Sequence, residues 1–411
     1  MKPIDRRHFL AGSLLAVGGA AGAAGAITGA DAGPTAPDDS AGVAAAREGL
    51  LKAVAFDGPR QAGVTNPPPA QATFVAFDAV SPNASELASA LRSLTYKARA
   101  LAHGERLLPG LVDDPTPDSG TLGSVVAPDS LTVTIGFGAS LFDDRYGLAG
   151  KKPDGLTPMP AFATDQLIPS QTHGDVLVQI CAGQRDTVVH TLRELTRAVR
   201  GELELRWAID GFQSARRGPL PRSSTRNLFA FRDGTANPET KNASIMNQLV
   251  WRPDGSTIQV VRIIRMHVEF WDRVGLREQE NMIGRFRDSG APLGGTHEYE
   301  DPRYDLDPKG DRIPLDAHIR LANPRTRQTA SERILRRGYN YHRGFDSAGA
   351  LDQGLIFSAF NQDPARQFAV IQNRLSDEPM VDYITPVGGG YFWVAPGTGG
   401  ISGWAGQTLF A

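Results

Sequence analysis

Cysteine is nearly absent: Cys181 is the only one in 411 residues. That excludes an internal disulfide, covalent attachment of a prosthetic group through CxxCH, and any Cys-rich metal cluster. A lipid anchor on a cysteine just after an N-terminal leader is excluded as well. Charge of one sign is also missing, since 43 Lys and Arg stand against 45 Asp and Glu, a formal net charge of −2. There is no stripe of Lys and Arg interleaved with aromatics, so nucleic acid is not an expected partner. Strongly hydrophobic runs are scarce too. The apolar stretch at the N-terminus is rich in Ala and Gly, which makes a membrane anchor the weaker reading of it.

That N-terminus reads MKPIDRRHFLAGSLLAVGGAAGAAGAITGADA, with Arg6–Arg7, then Phe9–Leu10, then small residues at Ala30-Asp31-Ala32. The pattern is that of a twin-arginine export signal over 1–32, with cleavage after Ala32. It predicts a folded protein passed to the Tat translocase and released to the periplasm or the cell exterior, without stable membrane insertion. About 380 residues then remain, enough for two ordinary domains.

From Gly33 to Ala70 the chain is rich in Ala, Pro, Asp and Gly and reads as a linker, 33–70. A first domain is expected over 71–225. Thr73–Asp78 reads as a strand, and Ser81–Pro82 can open a helix with Leu87, Leu91, Leu94 and Leu101 on one face. Leu131, Val133, Ile135 and Phe137 alternate as a half-buried strand does. Asp175–Ala182 is an apolar strand, Asp186 can cap a helix carrying Val188, Leu192, Leu195 and Val199, and Leu203-Leu205-Trp207 alternates again. The order β-α-β-β-α-β is that of a ferredoxin-like unit.

A second domain, 226–411, repeats the plan less clearly. Ile258–Phe270 reads as a long strand, followed by a short helix around Asp272–Ile283 and a possible strand near His318. Gly354–Phe360 is a strand, Asp363–Pro364 starts a helix with Phe368, Ile371 and Leu375 on one side, and Gly390–Val394 closes the unit. The pairing of DVLVQICAGQRDTVVHTL with GLIFSAFNQDPARQFAVI suggests a duplication of strand, short turn and Asp-initiated helix.

Two stretches carry candidate chemistry: NLFAFRDGTANP at Asn227–Pro238 and DAHIRLANPR…SERILRRGYNY at Asp316–Tyr341. A neutral imidazole is a good axial ligand for haem iron, and a carboxylate with a guanidinium suits peroxide cleavage. Spacing alone does not choose His318 from the seven other histidines, and Asp233 alone reads as an ordinary Asp-Gly turn.

Together the two stretches resemble the dye-decolourising peroxidases, in particular the Tat-exported deferrochelatase/peroxidase branch. HIRLANPR matches that branch's proximal-histidine segment. The resemblance therefore implies His318 as the iron ligand, with Asn323, Pro324 and Arg325 against the porphyrin or its propionates. Asp316 would sharpen the basicity of the ligand. FRDGTANP resembles the family's GxxDG signature with its TxNP, which implies Asp233 as the proton carrier and Gly234, Thr235 and Ala236 along the haem edge. Ala230 stands where the family usually has its first Gly. Arg336, eighteen residues after His318, matches the distal arginine, with Arg337 as the fallback.

The implied fold is α+β: two ferredoxin-like halves forming a dimeric α+β barrel with antiparallel sheets, the haem held mainly by the C-terminal half. The implied cofactor is one non-covalent haem b per chain. The implied reaction is reduction of hydrogen peroxide through a ferryl intermediate, with oxidation of dyes or phenolic donors and an acidic optimum. The alternatives are a deferrochelatase that frees iron from haem with the porphyrin intact, and a haem-binding protein without turnover. Electrons from bulky donors would arrive through aromatics, for which Trp271, Tyr383, Tyr391 and Trp393 are candidates. A homo-oligomer is compatible with the family.

Overall fold

Nine strands form one sheet in the computed structural model, which describes residues 47–106, 116–217 and 223–411. The expected export signal lies outside the described residues. Ala45–Ala411 is one compact unit.

In the first half, β1 (Gln71–Ala79), β2 (Thr132–Gly138), β3 (Val176–Ala182) and β4 (Leu203–Phe212) are joined by α1 (Ala84–His103) and α2 (Arg185–Ala198). Their antiparallel pairings give the order β2-β3-β1-β4, with Val75 opposite Val178 on one side and Ala208 on the other. Helix α1 starts later than Ser81–Pro82 predicts. Asn83 is its cap, accepting from the Glu86 amide at 3.0 Å while donating to the Glu86 carboxylate at 3.0 Å. Leu87, Leu91, Leu94 and Leu101 are fully buried beneath it, each contributing about 1.5–3 kcal/mol by leaving water.

The second half holds β5 (Thr257–Met266), β6 (Leu335–Arg336), β7 (Tyr339–Phe345), β8 (Leu351–Asn361) and β9 (Ile384–Val394). Its helices are α3 (Ala243–Leu249), α4 (Val268–Trp271), α5 (Leu276–Ile283), α6 (His318–Ala322) and α7 (Phe368–Arg374). The order β7-β8-β5-β9 repeats that of the first half place for place. Trp393 of β9 pairs with Phe137 of β2, and Phe212 of β4 pairs with Asn340 of β7, so eight strands run round a closed circuit. The short β6 is added beside β8. Closure leaves no long unpaired edge.

Phe74, Leu177, Trp207, Val261, Ile356 and Phe392 pack together from both halves in one core, while α1 and α2 cover the opposite face of the first half. Burial on both faces explains why β3 reads as an unbroken apolar run.

Other expectations change as well, and the helix expected from Asp363–Pro364 begins only at Phe368. The segment 33–70 is not a linker throughout: Phe56, Ala62 and Val64 are buried, and Gln61 donates to the Ile135 and Ala395 carbonyls at 2.9 and 3.0 Å. The strand read as Ile258–Phe270 ends at Met266, and its last residues turn into α4. His318 opens a short helix rather than lying in a strand.

His267 caps the end of β5 and joins it to β9 through a 2.8 Å contact between its Nε2 and the Thr385 hydroxyl. Burial, helped by Arg265, lowers its pKa from the usual imidazole value. Above the unfolded-state pKa of about 6.5 the ring is neutral in both states and pH has no effect through it. Below that value the unfolded chain takes up the proton more readily, so stability falls with pH until the folded-state pKa is passed. A series of thermal melts from neutral to mildly acidic pH should show a smaller acid loss in His267→Gln than in the wild-type protein.

Candidate active site

A cavity of about 240 Å³ lies in the second half. Its apolar walls include Ile264 and Met266 of β5, Leu355 and Phe357 of β8, and Phe368 and Ile371 of α7. The charged groups come from the turn after Thr225, from β6, and from the region around α6.

Asp233 sits in a turn closed by Asn227. The Asn227 side-chain oxygen accepts from the amides of Phe229 and Phe231 at 3.1 and 3.2 Å, and its carbonyl accepts from the Ala230 amide at 3.0 Å. This folding forces Ala230 to φ +68°, a left-handed backbone that suits glycine and strains a residue with a Cβ. Asp233 itself donates its amide to the Thr225 carbonyl at 2.9 Å. Gly234 follows at φ +85°, where a Cβ would press on the Asn237 amide group at 3.2 Å.

The Arg336 guanidinium meets the Asp233 carboxylate at 2.7 Å, with both side chains largely shielded. Two reciprocal bonds fix this approach: Asn237 Nδ2 donates to the Arg336 carbonyl at 2.8 Å, and the Arg336 amide donates to Asn237 Oδ1 at 2.9 Å. The Arg336 guanidinium lies over the Phe357 ring at 5.3 Å, and its Nε has no hydrogen-bond partner among the described residues. Arg337, the fallback, points the other way, as strand alternation requires. It is buried, and donates to the Asn66 carbonyl.

His318 begins α6 and lines the same cavity. Its Nδ1 lies 2.7 Å from Oε2 of Glu378, a carboxylate whose side chain is 2 % exposed. An ionised carboxylate only accepts, so Nδ1 carries the proton and Nε2 keeps its lone pair. The partner expected at Asp316 is therefore corrected. Asp316 is exposed, and a residue sixty positions downstream of His318 orients the ring. Glu378 gave no signal in sequence, because only the fold brings the end of α7 beside α6.

Gly234, Thr235, Ala236, Asn323 and Arg325 line the cavity, whereas Pro324 does not. Thr235 donates to the buried Glu298 at 3.0 Å. Arg325, at φ +58°, pairs loosely with Asp301 at 3.5 Å. Sequence reasoning gave no role to Arg285, Tyr304 or Arg333, which also line the cavity. Burial lowers both the Arg285 and Arg333 pKa values from the usual guanidinium range, and repulsion from Arg325 acts in the same direction. Tyr304, whose hydroxyl has no hydrogen-bond partner among the described residues, is pushed up to about 12 by burial. The concentration of guanidinium groups makes this side of the cavity suited to an anionic group.

Of the four candidate aromatics, Trp271 and Tyr383 form a line from the cavity. Trp271 stacks on the cavity residue Phe229 at 4.3 Å and meets the half-buried Tyr383 edge-on at 5.2 Å. Tyr391 touches the cavity residue Phe368 at 6.0 Å but is itself buried. Trp393 packs against Phe137 and Phe142.

Replacing Ala230 with Gly should relieve the left-handed strain beside Asp233. We expect Ala230→Gly to stabilise the protein by about 1 kcal/mol, less the flexibility it adds to the unfolded chain. Denaturant melts would show the midpoint moving up, and a lowered midpoint would refute the strain.

Residues 61–213 match the model "Dyp-type peroxidase, N-terminal", and residues 224–399 match "Dyp-type peroxidase, C-terminal". The chain is 43 % identical over 364 residues to the deferrochelatase of Yersinia pestis, covering 86 % of this chain and 84 % of that one. It is 42 % identical over 368 residues to the deferrochelatase of Escherichia coli K12, covering 86 % of each. A DyP-type peroxidase from Cellulomonas bogoriensis superposes with a TM-score of 0.78 at 34 % identity, over 88 % of this chain and 99 % of that one. Ferric DtpA from Streptomyces lividans superposes with a TM-score of 0.79 at 31 % identity, over the same shares. With both halves matched and this identity spread along the chain, the protein belongs to the Dyp-type, dye-decolourising peroxidase family.

Proposed function

We propose that the cavity is the haem site of a peroxidase, in which His318 would hold the iron and Asp233 with Arg336 would handle hydrogen peroxide. The observation that carries this reading is the 2.7 Å Asp233–Arg336 pair in the same cavity as an imidazole anchored by a buried carboxylate. The donor set fits haem b. His318 Nε2 offers a lone pair, the apolar walls suit a macrocycle, and Arg325, Arg333 and Arg285 supply cationic partners for its carboxylates. Gly234, Thr235 and Ala236 keep one edge small enough for close approach.

A haem held here would supply the redox chemistry, with two electrons for peroxide and their replacement one at a time by a donor. The chain's own part is proton movement and charge stabilisation. In hydrogen peroxide a proton must leave one oxygen and reach the other, which departs as water. Arg336 occupies Oδ1 of Asp233, which leaves Oδ2 to take the first proton and return it to the departing oxygen. The Arg336 guanidinium offsets the negative charge that grows there, in a site partly closed to water. Bulky dyes stay outside, and Tyr383, Trp271 and Phe229 form the route by which their electrons enter.

A second reading is favoured by the deferrochelatase relatives: removal of iron from haem at the same cavity, with the porphyrin intact. One experiment separates the readings. Haem-loaded protein is mixed with one equivalent of hydrogen peroxide in stopped flow, and free protoporphyrin is assayed after incubation with haem alone. The peroxidase reading expects Asp233→Asn to slow the peroxide reaction by about 10²–10⁴-fold and Arg336→Leu by about 10²–10³-fold, with haem content preserved. In the same assay Trp271→Phe should spare the peroxide step and slow oxidation of a bulky dye. Unchanged peroxide rates in both distal variants would sink the assignment, and protoporphyrin release without peroxide consumption would transfer the cavity to the second reading.

We also infer export through the twin-arginine pathway from residues 1–32. No helix among the described residues is long and apolar enough to cross a membrane. Replacing Arg6–Arg7 with lysines should leave the precursor in the cytoplasm, as immunoblots of cell fractions would show.

A further inference from the structure

Helix α6 has little to hold it in place by itself. It is five residues long, has no side-chain cap at its start, and makes few internal bonds. Isolated helices of this length do not persist in water. Its position is therefore set from outside, and any slack in it passes directly to His318, its first residue.

On one side the helix is fixed by the segment 284–313. Arg320 donates to the Asp307 and Ile313 carbonyls at 2.7 and 2.9 Å, and Gly284 leaves room for Ile319, which a Cβ there would meet at 2.7 Å. On the other side the contacts come from α7 and the residues after it. Glu378 takes the ring at Nδ1. Four residues earlier, Arg374 Nε donates to the Leu321 carbonyl at 2.9 Å, satisfying one of the carbonyls that a helix end leaves unpaired. Arg374 Nη1 is fixed in turn by Glu332 at 2.6 Å, with the two side chains 25 % and 19 % exposed. Glu332 itself lines the cavity.

We propose that Arg374, anchored by Glu332, is a positioning residue for His318. It acts on the helix backbone, while Glu378 acts on the ring; together they fix both the place and the rotation of the imidazole. The geometry uses the planar fork of arginine, since Nε and Nη1 serve two acceptors at once. A lysine can reach one acceptor or the other, but does not hold both in this way. The proposal rests on His318 being the axial ligand.

The test uses haem-loaded protein and reads the iron–imidazole stretching band of the ferrous form by resonance Raman, together with haem retention against a haem-scavenging apoprotein. Arg374→Ala should shift or broaden that band and speed haem loss by about 10–100-fold, the usual cost of an outer partner of a metal ligand. Arg374→Lys should keep the fold and still displace the band. Glu332→Gln, which weakens the anchor but leaves Arg374 in place, should give a smaller shift in the same direction. In the haem-free protein, amide exchange across 319–323 should accelerate in Arg374→Ala, a readout that owes nothing to the loaded enzyme. Wild-type band position and haem retention in Arg374→Lys and Glu332→Gln together would overturn the proposal, even if Arg374→Ala fails to fold. A band that survives His318→Ala would instead show that the axial-ligand reading had failed.

Discussion

Everything in this protein depends on a sheet that closes on itself. Each half has four strands in the same order, and each half alone would leave two strand edges exposed. The β9–β2 and β4–β7 pairings use those edges to join the halves. The second junction is thin, a single paired position between Phe212 and Asn340, so side chains must do much of the joining. Asn340 does so, donating to the Ser214 hydroxyl and the Arg226 carbonyl at 2.9 and 3.0 Å just ahead of the turn that carries Asp233. The junction between the halves and the start of the turn that carries Asp233 are thus tied together.

Within that frame several groups of the cavity are held by buried carboxylates. Glu378 is buried against His318, and Glu298 is buried against Thr235 and the Ser224 amide. Burying a carboxylate is costly unless its oxygens are satisfied. Both are satisfied by groups that belong to the site, so their desolvation is tied to correct placement of those groups. Asp233 and Arg336 are more open than these two carboxylates. That division suits a site in which the inner groups fix geometry and the more accessible pair meets a small reactant.

Much of this was legible in the sequence, for identifiable reasons. Strands β2 and β4 showed themselves through period-two patterns and helices α1 and α2 through period-three-to-four patterns, while β3, buried on both faces, showed itself as an unbroken apolar run. Helix α6 did not. HIRLA is too short for a period, and its conformation is imposed from other parts of the chain, by the Asp307 and Ile313 carbonyls that its Arg320 binds, by Gly284 and by Arg374. Asp233, His318 and Arg336 were chosen by resemblance of whole stretches, and the fold does bring all three to one cavity. Glu378, Arg285 and Tyr304 were not chosen, since a Glu in SDEPM or an Arg in GRFRD looks like solvated surface until the chain folds. The linker reading of 33–70 failed in its second part for a related reason: Pro and Gly marked irregular structure correctly, but irregular structure can still be buried.

Closure also has a consequence for how the molecule is made. Strand β2 lies in the first third of the chain, yet its outer partner is β9, at Ile384–Val394 of 411 residues. A chain that has completed its entire first half still carries β2 unpaired on that side until β9 has been made. Contacts so distant in sequence are slow to form. The first half therefore cannot complete its sheet on its own and depends on β9, from the far side of the second half, to cover that edge.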